Sequence, residues 1–190
     1  MDRLGSAGVS TGAFTYRLGP GDGTLSLRTK RTGAAAKAGH NLLIEVTSWE
    51  ATIELGERTS IVLEADGGSL RVREGTGGMQ ALQDEDRENI RQTIDDEVLM
   101  GEKVSFRSTE VGPAEGAAGF AVQGELTLLG ATRPLSFYLA IAGDGGLRAA
   151  TVVKQSDWGM KPYTGLFGAL KVVDEVEVEI EATLPAPQSL

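Results

Sequence analysis

The most constraining feature of this chain is a strict alternation of apolar and charged residues close to its C-terminal end. The apolar positions are Val176, Val178, Ile180 and Ala182, and the residues between them are Glu175, Glu177, Glu179 and Glu181. A period of two places one residue type on each face of an extended strand. A strand with one apolar and one solvated face is typical of an antiparallel sheet.

The same period recurs along the chain, with one interruption that indicates a bend. Segments with this alternation are residues 25–28, 61–65, 70–73, 120–128 and 135–141. Asp66-Gly67-Gly68 follows one of them and predicts a hairpin. The run from Leu42 to Leu55 shifts phase by one residue near Thr47-Ser48, which predicts a β-bulge or sharp bend. Two separate strands are the alternative there.

Counting these segments gives roughly eight strands, the number found in the smallest barrels that hold a ligand. Many of the 26 glycines lie in or beside strands, where glycine permits bulges and strong coiling. We therefore predict an all-β, antiparallel barrel and not an open sandwich. The 190 residues fit one domain, with loose tails at 1–10 and 185–190.

Two segments have helical character. Residues 84–99 predict the main helix, because Asp84 can act as N-cap and Ile90 and Ile94 form an apolar i, i+4 stripe. The stripe is narrow, so this helix is expected on the surface or over an open end of the barrel. The alanine-rich segment 33–39 predicts a second, short helix.

Composition excludes several classes of function. A net charge of −9 disfavours nucleic acid and anionic membrane surfaces, and the absence of cysteine excludes disulfides and thiolate chemistry. No basic leader with an apolar core and no membrane-spanning apolar stretch is present, so we expect a cytoplasmic protein without an integral membrane segment. His40 is the only histidine. We therefore predict no metal site, no catalytic residue and no cofactor.

The corner between residues 127 and 137, TLLGATRPLSF, has an unusually specific sequence. Gly130 tolerates a positive φ, Thr132 can hydrogen-bond to local backbone, and Pro134 fixes φ near −65°. The favoured interpretation is a turn that joins two long strands. Contact of Arg133 with a ligand headgroup is the alternative.

The stretch VQGELTLLGATRPLSFYL resembles the YceI-like family of lipocalin-like, polyisoprenoid-binding proteins. FRST (residues 106–109), QSDWGM (155–160) and VVDEVEVEIEATL (172–184) are similar to further family motifs and follow in the family's order. SLRVREGTGG followed by DRENIRQTIDDEVL resembles an actinobacterial variant. The resemblance implies an extended eight-stranded antiparallel barrel whose lumen holds a prenyl chain or a similar long lipid.

Residues expected to line such a lumen are apolar and lie in phase on the predicted strands or in the Gly-rich segment 158–170, which is expected to form a mobile rim. They are Leu25, Leu27, Ile44, Trp49, Phe106, Phe120, Val122, Phe137, Leu139, Trp158, Phe167 and Val178. Packing of the aromatics in an ordinary core is the alternative. His40 and Arg133 are candidates for polar groups at the mouth of the lumen.

Three functions stay open at the level of sequence. The first is a module that binds, sequesters or transports a polyisoprenoid or an isoprenoid quinone-like lipid. The second is a stress-response or interaction protein with a packed interior, and the third is an enzyme on a lipid-like substrate with His40 as base. The absence of a nucleophile–base constellation disfavours the enzyme. The expected partner is a long-chain apolar lipid, and a homodimer is compatible with the sequence.

Overall fold

The computed structural model describes residues 14–114, 119–186 and 188–189, and it consists largely of β-strands. The strands are β1 (Phe14–Leu18), β2 (Gly23–Thr29), β3 (Arg31–Thr32), β4 (Asn41–Val46), β5 (Trp49–Leu55), β6 (Ser60–Asp66), β7 (Leu70–Thr76), β8 (Lys103–Pro113), β9 (Phe120–Leu128), β10 (Ala131–Ile141), β11 (Gly146–Lys154), β12 (Thr164–Gly165), β13 (Leu170–Val172), β14 (Glu175–Thr183) and β15 (Gln188–Ser189). The helix α1 (Asp84–Thr93) continues as a π-helical segment, Ile94–Leu99. Short 3₁₀ segments are Ala36–Ala38, Gly67–Ser69, Gln155–Trp158 and Leu166–Gly168.

Twelve strands form one antiparallel sheet in the order β15-β1-β5-β6-β8-β9-β10-β11-β14-β2-β4-β7. Three consecutive strand pairs, β1–β2, β4–β5 and β6–β7, act as single segments that bend. The bent β1–β2 segment pairs with the bent β4–β5 segment on both sides of the corner. Because β14 pairs with β2 while β1 pairs with β5, the sheet curls round on itself through these corners.

The predicted all-β, antiparallel, lipocalin-like barrel with one main helix is confirmed by this arrangement. Counted by bent segments and without the two-residue β15, eight stretches of chain build the wall. The strand number is higher than predicted because each corner interrupts the ladder hydrogen bonds. A second sheet, β12-β13-β3, has no counterpart in the sequence prediction, because its strands are only two or three residues long.

The corners are joined to each other by hydrogen bonds. Thr47 Oγ1 donates to Ser69 O at 2.7 Å, and Ser48 N donates to Ser69 Oγ at 3.1 Å. The predicted bend at Thr47-Ser48 is present, and it divides the run into two strands, β4 and β5, as the alternative had it. The predicted hairpin at Asp66-Gly67-Gly68 is wrong, because β6 pairs with β5 and β8 whereas β7 pairs with β4. Asp66 Oδ1 accepts from Gly68 N at 2.9 Å, a local turn that changes the strand's direction without reversing it.

The corner in TLLGATRPLSF is a two-residue β-turn between β9 and β10. Leu129 and Gly130 have φ of 46° and 73°, as a type I′ turn requires at both central positions. The predicted positive φ of Gly130 is confirmed. Thr132 Oγ1 contacts Thr127 Oγ1 at 2.8 Å across the strand pair, and not local backbone as predicted.

The main helix begins one residue away from the expected cap. Gln83 is the N-cap, and its backbone N donates to Asp86 Oδ2 at 2.9 Å, so Asp84 already lies in the first turn. No residue of α1 is fully buried, which agrees with a surface position. The helix α1 packs against β7, and its continuation buries Leu99 and packs against the corner that precedes this strand.

At the C-terminal end, Gln188–Ser189 pairs with Phe14–Thr15, where the sequence predicted a loose tail. The predicted N-terminal tail, residues 1–10, lies outside the described residues. Among the described residues, no helix is long and apolar enough to cross a bilayer.

Candidate functional site

The sheet encloses a cavity of about 260 Å³. Thirty-three residues surround it, and Asp66, Thr151 and Gln155 are the polar side chains among them. The inward positions of the alternating strands supply most of this lining. The cavity therefore follows from the same period of two that places glutamates on the outside.

Residues on β14 show how incompletely side chains fill this space. Val176, Val178 and Ile180 alternate inward yet are only half-buried, and all three line the cavity. Across the interior, Leu135 and Phe137 on β10 are also half-buried and line it. Inward apolar side chains that retain accessible surface indicate an unfilled lumen and not a solid core.

The polar side chains around the cavity already have partners within the protein. Gln155 Nε2 donates to Val173 O at 3.1 Å and to Asp174 O at 3.2 Å. Thr151 Oγ1 donates to Ser136 O at 3.4 Å. Since Asp66 is engaged at its corner, the wall presents an almost wholly apolar surface to any occupant. Such a surface selects ligands by apolar area and shape.

Two aromatic rings meet at the cavity wall. Phe106 on β8 and Phe137 on β10 have ring centroids 5.2 Å apart with an interplanar angle of 55°, a tilted pair. Between their strands lies Gly124 on β9, where an added Cβ would come within 2.4 Å of Phe106 Cζ. The missing side chain at Gly124 is thus what lets the Phe106 ring lie across β9 and reach Phe137.

Part of the cavity wall is helical, whereas the predicted lining residues lie on strands and in segment 158–170. The π-helical segment contributes Ile94, Val98 and Leu99 to the cavity wall. They lie near β7, the last strand of the sheet, which pairs with β4 on one edge and, within the described residues, with no strand of this sheet on the other. The available signal was the apolar i, i+4 spacing that continues from Ile90 through Ile94 to Val98. The sequence could not indicate that this stripe completes the wall where the sheet has an edge.

Seven of the twelve predicted lining residues surround the cavity. They are Leu25, Leu27, Ile44, Phe106, Phe137, Leu139 and Val178. Other lining residues that the prediction left out lie in phase on the same or neighbouring strands, including Ile53, Ile61, Leu63, Val104, Leu135 and Ile180. Alternation on these strands was a usable signal for them.

The other five lie elsewhere, for distinct reasons. Val122 is 1% exposed within the buried core, and Phe120 is half-buried and packs against that core. Trp49 is buried in the core at the corner between β4 and β5. Trp158 is also buried, and its indole Nε1 donates to Leu126 O at 2.9 Å, which anchors the 3₁₀ segment to β9. Phe167 is wholly exposed on an outer loop, so it does not face the cavity.

The candidate mouth residues do not line the cavity either. His40 Nε2 lies 2.7 Å from Gln80 O, a contact that ties the loop before β4 to the loop after β7. Arg133 is exposed, and its Nε donates to Asp157 O at 3.3 Å. His40 thus joins two loops, and Arg133 joins β10 to the 3₁₀ segment that follows β11. The described residues contain no group of three or more His, Asp or Glu that could hold a metal ion.

One electrostatic feature borders the cavity. Ser156 donates to Asp174 through its Oγ at 2.5 Å and through its backbone N at 2.8 Å. These hydrogen bonds lower the pKa of the Asp174 carboxyl below its ordinary value of 3.8. The carboxylate thus holds the segment after β11, which contributes Gln155 and Met160 to the lining.

Residues 97–184, from the end of the π-helical segment through β14, match the family model of the YceI-like domain. This segment of the chain is similar to the YceI-like family. The resemblance predicted from the motifs is therefore confirmed. The comparison with curated proteins found no match.

Solved structures extend this likeness beyond the matched segment. BcnA of Burkholderia cenocepacia is 14% identical with a TM-score of 0.61, covering 84% of this chain and 94% of its own. A YceI protein of Campylobacter jejuni is 14% identical with a TM-score of 0.51, covering 77% and 85%. A polyisoprenoid-binding domain of Saccharophagus degradans is 10% identical with a TM-score of 0.50, covering 90% and 98%. At these identities the likeness shows a shared fold.

Proposed function

We propose that this YceI-like domain binds a long apolar lipid, of the polyisoprenoid or isoprenoid quinone class, in its interior cavity. The observation that carries the proposal is the cavity wall, where apolar side chains dominate and the polar ones have partners within the protein. A ligand with a polar core would lose its hydration there without gaining partners. A hydrocarbon chain loses nothing of this kind.

The size of the cavity supports an occupant. A hydrocarbon chain that enters this space of about 260 Å³ exchanges contact with water for contact with the apolar wall. Each methylene buried in this way contributes about 0.8 kcal/mol.

The isoprenoid class is favoured by the comparison with the Saccharophagus degradans domain, whose description names polyisoprenoid binding. The cavity's lining suits branched chains, since Leu, Ile and Val side chains supply an irregular apolar wall with the Phe106–Phe137 pair as a rigid part. We propose that the seven predicted residues around the cavity contact the chain. Sequestering or carrying the lipid follows from burying it away from water.

The two alternatives find less support. A packed interior conflicts with the open space and with the half-buried inward side chains of β14. Catalysis through His40 would need the imidazole at the ligand, whereas His40 lies outside the cavity lining and contacts the Gln80 carbonyl. A cytoplasmic location and a homodimer stay predictions.

The direct test is extraction of the purified protein with organic solvent, followed by mass spectrometry of the extract. We expect a stoichiometric isoprenoid lipid. The delipidated protein should then bind solanesol, a long polyprenol, saturably, and bind geraniol, a short one, far more weakly. An extract without lipid, together with no saturable binding of solanesol, ubiquinone or palmitate, would refute the proposal.

A further inference from the structure

The small sheet β12-β13-β3 and the segments that carry it differ in charge from the rest of the protein. Residues 30–39 and 158–173 contain five basic residues and no Asp or Glu. The basic residues are Lys30, Arg31, Lys37, Lys161 and Lys171. Because the whole chain carries −9, the remaining residues carry −9 − 5 = −14. Positive charge is thus concentrated on one part of an acidic protein.

The two segments form one body. In the pairing of β13 with β3, Lys171 is opposite Thr32. Ala35 N donates to Ala169 O at 2.8 Å. The Arg31 guanidinium donates through Nη1 to the carbonyls of two residues in the same segment, at 2.7 and 2.6 Å. The basic residues are therefore held on a common scaffold.

An apolar tip projects from this scaffold. Phe167 is wholly exposed, Leu166 is 55% exposed and Tyr163 is 38% exposed. Leu166 and Phe167 have φ of 49° and 54°, a left-handed conformation that is strained for side chains of this size. The exposed apolar side chains are unfavourable for an isolated molecule in water, so the tip is suited to an apolar environment outside the protein.

Three of the amino groups are available to a partner. Lys30 Nζ pairs with Glu177 at 2.5 Å, and Arg31 is occupied by carbonyls. Lys37, Lys161 and Lys171 are exposed, and within the described part of the chain they form no ion pair. An exposed apolar tip beside unpaired lysines is the pattern of an interfacial membrane anchor.

We propose that this surface, the apolar tip with Lys37, Lys161 and Lys171, docks on an anionic lipid bilayer. Phe167 and Leu166 enter the interfacial region, while the lysines contact lipid phosphates. The chain's total charge disfavours such a surface, but screening limits the reach of each charge to about 10 Å at moderate salt. The charges close to the bilayer therefore determine whether the interaction is attractive, and on this surface those charges are positive.

The location agrees with a role in lipid uptake. The segment that carries the tip follows directly from Met160, which lines the cavity, and from the 3₁₀ segment that contributes Gln155. A protein docked by this surface would hold that end of the barrel towards the membrane. This last step rests on the proposed function, whereas bilayer docking itself does not.

The test measures co-flotation of the full chain with vesicles of phosphatidylcholine alone or of phosphatidylcholine mixed with phosphatidylserine. We expect binding to the anionic vesicles only. Each lysine is expected to contribute about fivefold, so the variant Lys37→Gln/Lys161→Gln/Lys171→Gln should bind roughly 100-fold more weakly. Phe167→Ser should weaken binding about tenfold or more, through lost apolar burial.

Matched controls alter the same residue types elsewhere. Val152→Ser removes another exposed apolar side chain, 52% exposed on β11. Arg58→Gln/Lys103→Gln/Arg107→Gln removes three exposed cations from other parts of the described surface. Both controls should bind anionic vesicles within about twofold of the unmodified protein. Thermal unfolding of every variant checks that the fold is retained.

Three outcomes would overturn the docking proposal. One is no binding of the unmodified protein to anionic vesicles, and another is an equal loss of binding in the controls. The third is that vesicle binding is absent while Phe167→Ser abolishes an interaction with another protein or self-association. That result would assign the surface to a protein partner. Failure of the proposed function is distinguishable, because it would abolish saturable solanesol binding and leave vesicle binding intact.

Discussion

The replacement Val178→Phe distinguishes an open lumen from a solid core. Val178 alternates inward on β14, lines the cavity and is only half-buried. The larger side chain adds four carbons, worth up to about 3 kcal/mol at 0.8 kcal/mol per buried carbon. Loss of rotamer freedom reduces this by about 0.5–1 kcal/mol. We therefore expect the lipid-free protein to gain about 2 kcal/mol in unfolding free energy.

The matched control is the same change at Val122. This side chain also faces inward, but it is 1% exposed and does not line the cavity. Overpacking a filled site costs about 1–3 kcal/mol, so Val122→Phe should lower the unfolding free energy. One chemical change is thus expected to have opposite effects at two inward positions of the same barrel.

The assay is urea and thermal unfolding of delipidated protein, combined with solanesol titration. For a chain of this length, 2 kcal/mol corresponds to a rise in Tm of about 4–8 °C for Val178→Phe. The added ring occupies ligand space, so solanesol affinity should fall at least tenfold, or about 1.4 kcal/mol. If Val178→Phe destabilises the protein as much as Val122→Phe does, the interior is filled and the lumen assignment is wrong.

Three further predictions concern single residues. Phe137→Arg should leave a folded β protein by circular dichroism but abolish solanesol binding, since the side chain enters the cavity; an unfolded product would instead indicate a solid core. His40→Ala should change solanesol affinity less than tenfold, because His40 contacts the Gln80 carbonyl outside the lining; complete loss would place it at the ligand. The lowered pKa of Asp174 in the folded state stabilises the protein above the unfolded-state pKa, near 3.8, and this contribution is lost as pH falls through the lower folded value. Asp174→Asn should therefore show a shallower loss of stability below about pH 4 in acid titration of unfolding, and an unchanged slope would contradict the role of the Ser156 hydrogen bonds.

Local features were predictable because their causes lie within a few residues. The alternation in β14 specifies which side chains share a face, whatever strand lies beside it. Gly130 and Pro134 restrict backbone angles directly, and the phase shift at Thr47-Ser48 is visible in the order of side chains alone. These features were sufficient for fold class, the main turn and seven of the residues around the cavity.

The sequence by itself therefore determined the faces of the strands, the turn and the segment that forms the main helix. Tertiary structure alone decided which faces meet, because strand pairing joins residues far apart in the chain and depends on closure of the whole sheet. Asp66-Gly67-Gly68 has a hairpin composition, yet it forms a corner because β7 pairs with β4. Closure also left the interior partly unfilled. The tertiary structure likewise placed Phe167 in solvent beside lysines from two distant segments. The sequence could not indicate this, because a short irregular loop has no repeating pattern from which the direction of a side chain could be predicted.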